Sequence, residues 1–214
     1  MVPLRVDFGG GWLDVPHLAQ EGAFIVNCAI TPMVSLEEWC FERNGGLGGS
    51  AAWALLQNRD AFKSESSLGV GWQDPAIILE TGICAWRSGP QPVLEVKVNP
   101  DFLVGKLALY WCGHSHHTPD HTNSKRDYDI IRKAGAVAKA SIQVRSLSHL
   151  FRAVSLSYAA QLGEGMFELP DIPGALAKKY CGGGWGGYAL YCFDNQYFRD
   201  NAKLLNIEPY MRTL

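Results

Sequence analysis

The residues of this chain best suited to chemistry sit in three glycine-bearing stretches and around one aspartate. Gly45-Gly46-Leu47-Gly48-Gly49-Ser50 runs directly into Ala51-Ala52-Trp53-Ala54-Leu55-Leu56-Gln57, a helix-favouring run. Glycine loses the most freedom on ordering, so a cluster marks backbone that approaches something closely or needs positive φ. A glycine loop entering a helix aims several amide N–H groups and the positive end of the helix dipole at one spot. That is the chemistry of a phosphate site, and a nucleotide is the expected ligand. Ser50 either caps the helix or places its hydroxyl on a metal ion held by the phosphates. The Walker A ending is missing because Ala51 follows Ser50, and the dinucleotide Gly-x-Gly-x-x-Gly spacing is missing as well.

The third stretch, Cys181-Gly182-Gly183-Gly184-Trp185-Gly186-Gly187, lies far away in sequence, and the first, Arg5 to Asp14, encloses Gly9-Gly10-Gly11-Trp12. Between them stands Gly71-Trp72-Gln73-Asp74-Pro75. Asp74 reads either as a helix cap with Pro75 in the first turn, or as a fixed carboxylate able to accept a proton. Arg5 reads by itself as a surface arginine at a strand edge, and Asp14 as a turn residue after the glycine run. The loop His114-Ser115-His116-His117, with Asp120 and His121 nearby, has the spacing of a metal chelate. It also suits a substrate contact or a solvated loop, which are the favoured readings.

These residues need elements to hold them. Apolar runs predict strands over 22–30 and 33–41, divided by Thr31-Pro32, and a hairpin of 82–86 with 93–98. A strongly apolar strand is expected over 106–112. Helical spacing predicts helices over 51–61, 125–142, 146–162, 172–180 and 195–205, with a strand over 188–193. Strands before residue 112 and helices after it give an α+β class. A division into halves of 1–100 and 101–214 is expected where Asn99-Pro100-Asp101 interrupts the pattern.

With 214 residues, 47% hydrophobic and 19% charged, the composition is that of a globular protein. A net charge of −2 leaves no electrostatic footprint for nucleic acid or an acidic membrane surface. The six scattered cysteines form no CxxC pair and read as reduced thiols. No apolar run is long enough to span a bilayer and no signal sequence precedes Arg5, so the expectation is cytoplasmic.

Taken in order, the three glycine stretches resemble those of the GHMP small-molecule kinases. These carry an N-terminal arginine motif, a central Gly-Leu-Gly-Ser-Ser-Ala-type loop and a C-terminal Gly-Ala-Gly-Gly-Gly-type loop. Arg5 to Pro16, with its Gly-Gly and Asp14-Val15-Pro16, is most similar to heptose-phosphate kinases and fucokinases. Gly71-Trp72-Gln73-Asp74 resembles the Gly-x-Gln-Asp stretch of heptose and galactose kinases.

The resemblance implies an N-terminal α/β half with the phosphate loop and a ferredoxin-like C-terminal half. It implies ATP and Mg²⁺ as cofactors and a sugar or sugar phosphate as acceptor. Gly45, Gly46, Leu47, Gly48, Gly49, Ser50 and Ala51 would bind the ATP phosphates, with Ser50 also on the metal. Asp74 would be the base and Arg5 its charged partner. Gly11, Trp12, Asp14, His114, Gly183, Gly184 and Trp185 would meet the acceptor. The chain departs from the pattern in its shortness, which leaves a homodimer open and implies a helix missing between Ser50 and Asp74. Gly49 stands where the loop has its first serine, and Trp185 where it has a small residue. The carboxylate beside the metal is open among Glu37, Glu38 and Glu80. A non-catalytic sugar or nucleotide binder, or a kinase of a non-sugar alcohol, is the alternative.

Overall fold

The computed structural model describes residues 1–115, 121 and 124–212. Among these, eight strands join in one sheet of order β4-β3-β2-β8-β5-β7-β6, with β1 paired to β2 off that path. The strands are β1 (Val2–Gly9), β2 (Phe24–Val34), β3 (Ile83–Arg87), β4 (Val93–Val98), β5 (Leu107–Trp111), β6 (Ala175–Tyr180), β7 (Tyr188–Phe193) and β8 (Leu205–Pro209). The helices are α1 (Gly49–Leu56), α2 (Ala61–Ser67), α3 (Gln73–Glu80), α4 (Tyr128–Gln143), α5 (Leu147–Gly163) and α6 (Gln196–Asn201). Every strand pair is antiparallel. This is the mixed α and β architecture expected of a GHMP-type chain.

The long helices form where the apolar spacing puts them. Asp127 caps α4 by accepting from the Ile130 amide at 3.1 Å, and Ser146 caps α5 through the His149 amide. The two helices pack on each other and on β1, burying Ala138, Ile142, Leu150 and Val154 in one apolar core with Val6 and Phe8. The hairpin of β3 and β4 and the strands β5 and β7 also stand where the sequence predicts them.

Five expectations are corrected. The strand does not break at Thr31-Pro32: β2 continues to Val34, and the stretch to residue 41 is irregular. Pro32 is exposed and falls where the β1–β2 ladder shifts register between Val2 and Leu4, a position that needs no ladder N–H. The segment 172–180 holds β6 rather than a helix. Its burial alternates, with Ala177 and Lys179 inward and Leu176 outward, so the pattern is reversed in polarity and hidden from hydrophobic reading. The first helix stops at Leu56, and the helix inferred to be missing is present as α2, capped by Asp60 through the Lys63 amide at 3.0 Å. The last predicted helix ends at Asn201, and β8 follows, inserted between β2 and β5 with Ile207 buried. Among the described residues no helix is long and apolar enough to cross a membrane.

Candidate active site

β1 delivers the first candidate side chains. Arg5 and Asp7 are two residues apart and leave the same face of the strand, and both are almost fully buried. Arg5 donates from Nε to Asp74 Oδ1 at 2.6 Å and from Nη1 to the Gly46 carbonyl at 2.7 Å. Its own amide donates to the Leu47 carbonyl at 3.0 Å. One arginine therefore grips both the glycine loop and the aspartate. Burial works against its charge, but Asp74 and Asp7 hold it firmly protonated.

Asp74 is not a cap. Helix α3 begins at Gln73, with Trp72 preceding it and making no side-chain cap, and the Asp74 carboxylate turns to Arg5. Its side chain is 14% exposed, against 4% for Arg5, so one carboxylate edge reaches the cavity. The free amide of Gln73 is taken instead by Asp14 Oδ2 at 3.2 Å, while Gln73 Nε2 donates to Asp14 Oδ1 at 2.9 Å. Burial, and then the nearby Asp74 charge, push the Asp14 carboxyl up to about 7.

The glycine loop enters α1 through Gly48, which is left-handed at φ 78°. No side chain caps this helix, so its first amides open on the cavity that Gly46, Gly48, Gly49 and Ser50 line. A methyl group at Gly48 would stand 3.3 Å from Arg5 Cγ and 3.4 Å from Asp74, so a side chain would crowd the pair. Ser50 Oγ donates to Glu65 Oε1 at 2.6 Å. Glu65 comes from α2, is 2% exposed, and is pushed up to about 8 by burial and by Asp74. Glu37 and Glu38 are exposed, with Glu37 accepting from Ser35; Glu80 pairs with Lys97 at 2.8 Å, so the carboxylate beside Ser50 is Glu65.

The third glycine stretch closes the site from the C-terminal side. Gly182 has φ 57°, and a Cβ there would lie 3.0 Å from the backbone of Gly46, so the two loops touch main chain to main chain. The cavity enclosed measures about 290 Å³, near the lower end of small-molecule sites.

Of the residues singled out in the sequence, Arg5, Trp12, Asp14, Gly46, Gly48, Gly49, Ser50, Asp74 and Gly183 line this cavity. Others stand back from it. Gly45 packs on the Tyr188 ring, Leu47 and Ala51 are in the core, and Gly11 faces a smaller cavity behind. Gly184 lies against Met166. The Trp185 ring stacks on His121 at 4.9 Å, and the exposed His114 accepts the Gly187 amide through its carbonyl at 2.8 Å. His116, His117 and Asp120 lie outside the described residues. Among the described residues no group of three or more His, Cys, Asp or Glu is placed to hold a metal ion.

Sequence reasoning missed Glu65, Gln73 and the Arg43-Asn44 pair that also line the cavity. The Asp60 cap followed by Glu65 was the available signal for the first. Arg43 lies 3.5 Å over the Trp53 ring, a stacking that its sequence neighbours do not announce.

No protein-family model matches the sequence, and no curated protein does. Solved structures do. The chain is similar to a D-glycero-D-manno-heptose 1-phosphate kinase from B. thetaiotaomicron, with a TM-score of 0.59, 13% identity, and coverage of 100% of this chain and 98% of that one. Similarity to L. major mevalonate kinase in complex with R-mevalonate has a TM-score of 0.64 at 16% identity, covering 98% and 94%. For Lactococcus lactis galactokinase complexed with galactose the TM-score is 0.65 at 11% identity, covering 97% and 91%.

Proposed function

We propose that this chain, which has the fold of the GHMP kinases, transfers a phosphoryl group from ATP to a hydroxyl of a sugar or sugar phosphate. The observation that carries the reading is Asp74, held by Arg5 at 2.6 Å beside an uncapped helix N-terminus, with one carboxylate edge open to the cavity. Phosphoryl transfer asks for this set: donors for phosphate, a fixed base and compensating positive charge.

The residues present fit both ATP and Mg²⁺. The uncapped α1 terminus and the glycines before it offer amides to the phosphates without a Cβ in the way. Ser50 Oγ and Glu65 Oε1 form a pair of hard oxygen donors suited to Mg²⁺, with Glu65 ready to ionise once a cation replaces the serine proton as its partner. When bound, Mg²⁺ neutralises phosphate charge and ATP supplies the transferable group.

The chain's own residues do the rest. Asp74 Oδ1 is occupied by Arg5, so Oδ2 accepts the acceptor's hydroxyl proton. Arg5 keeps Asp74 aimed and brings positive charge beside the loop through Gly46. Asp14, oriented by both Gln73 donors, has lone pairs left for sugar hydroxyls, and Trp12 forms a wall of the acceptor end. Acceptor-dependent ADP release from Mg²⁺-ATP across hexoses, heptoses and their phosphates tests the reading. Silence with every acceptor refutes it.

A further inference from the structure

Behind the cavity lie two buried charges that proton transfer at Asp74 does not use. Asp7 Oδ1 accepts from Arg5 Nη1 at 3.4 Å and from the Gly182 amide at 3.3 Å. Its other oxygen, Oδ2, accepts from Lys179 Nζ, and that ammonium also donates to the Asp7 carbonyl at 3.2 Å. Lys179 projects inward from β6 and is 2% exposed, in a strand whose neighbouring leucine faces out. Lys179, Asp7, Arg5 and Asp74 therefore form an alternating line of charge from the sheet edge to the cavity. Burial opposes the Asp7 charge, but Lys179 and then Arg5 hold its carboxyl below the usual carboxylate range.

Such a line is a poor device for stability, because desolvation offsets much of the attraction and apolar replacements often serve as well. What it supplies is direction. Lys179 takes Oδ2, which leaves Oδ1 for Arg5 and Gly182 and so fixes the guanidinium against the third glycine loop. The same guanidinium nitrogen donates to Gly46 of the central loop. The central glycine loop and the catalytic aspartate thus meet at Arg5 of the first stretch, the third stretch joins them through Asp7, and Asp7 with Lys179 sets where the arginine points.

We propose that Asp7 and Lys179 are positioning residues: Lys179 orients Asp7, and Asp7 orients Arg5 and ties the third glycine loop to it. The role in turnover rests on the kinase reading above, with Asp74 as base. The decisive variant is Asp7→Asn/Lys179→Met, which removes both charges together and leaves no buried ion alone. Its crystal structure gives the Arg5 Nε–Asp74 Oδ1 distance, and steady-state kinetics separate kcat from the KM for ATP. The distance is expected to open from 2.6 Å to beyond hydrogen-bond reach, about 3.5 Å. A displacement of that size lowers kcat about 10- to 100-fold, with the KM for ATP kept within about twofold. Lys179→Arg, which keeps the charge, is expected to retain most of kcat.

An unmoved Arg5–Asp74 contact, or a kcat unchanged in a variant that merely melts earlier, overturns the proposal. If the double variant fails to fold, Lys179→Met alone, read the same way, decides. If the unaltered protein releases no ADP with any acceptor, the kinase reading fails while the distance still decides whether Asp7 and Lys179 set Arg5.

Discussion

Removing Arg5 tests the joint on which the site is built. Arg5→Met gives up contacts to Asp74 at 2.6 Å, to the Gly46 carbonyl at 2.7 Å and to Asp7 at 3.4 Å. Asp7 keeps Lys179 and the Gly182 amide, so the loss falls on Asp74 and on the loop carbonyl. Breaking a buried ion pair costs about 3–5 kcal/mol, but Asp74 is 14% exposed and water takes up part of its charge. The lower end, about 3 kcal/mol, is therefore expected. That corresponds to a melting point lower by roughly 6–12 °C for a chain of this size. Neutralising Asp74 as well removes the stranded charge. Arg5→Met/Asp74→Asn is then about 2 kcal/mol more stable than the sum of the single losses. Urea unfolding followed by the fluorescence of the seven tryptophans reads the cycle. Single losses that add within about 0.5 kcal/mol mean that the two residues are not coupled, and the reasoning fails.

Further outcomes follow from neighbouring residues. The Asp14 carboxyl rises from 3.8 to about 7 on folding, so between those values the folded state holds a proton that the unfolded chain has released. Its contribution to stability is largest below pH 3.8 and is lost as pH rises through about 7. Unfolding free energy measured from pH 5 to 8 should therefore fall, and Asp14→Asn should flatten the fall while weakening acceptor binding. Glu65→Gln keeps a partner for Ser50 but removes an anionic oxygen, and raises the Mg²⁺ concentration for half-maximal rate about tenfold in a Mg²⁺ titration. Gly182→Ala combines a left-handed φ of 57° with a contact of 3.0 Å to Gly46. It should cost about 2 kcal/mol in chemical denaturation, because neither loop backbone can retreat freely.

The parts legible in the sequence are those whose signal is local. Apolar spacing located α4 and α5, and glycine density located the loops that meet at Gly46 and Gly182. The cavity gathers Arg5 and Asp14 of the N-terminal stretch with Ser50 and Asp74 from two others, and the motifs around them marked them. What stayed hidden depends on partners distant in the chain. β6 buries Lys179 and exposes Leu176, because its lysine answers Asp7 across 172 residues. β8 finds both its neighbours in strands more than 90 residues earlier, so no nearby pattern announces it. Glu65 lies in a stretch whose sequence reads as lacking a helix, and only its contact with Ser50 sets it apart. Pro32 suggested a turn, and only the register shift on β1 shows why a strand tolerates it.

The most direct measurement is ADP release from Mg²⁺-ATP across neutral sugars, sugar phosphates and mevalonate, with the unaltered protein beside Asp74→Asn. The account expects acceptor-dependent ADP from a sugar or sugar phosphate. It also expects turnover to fall by about 10²-fold or more in Asp74→Asn, with ATP binding retained. Equal turnover by the two proteins, or no ADP with any acceptor, contradicts it.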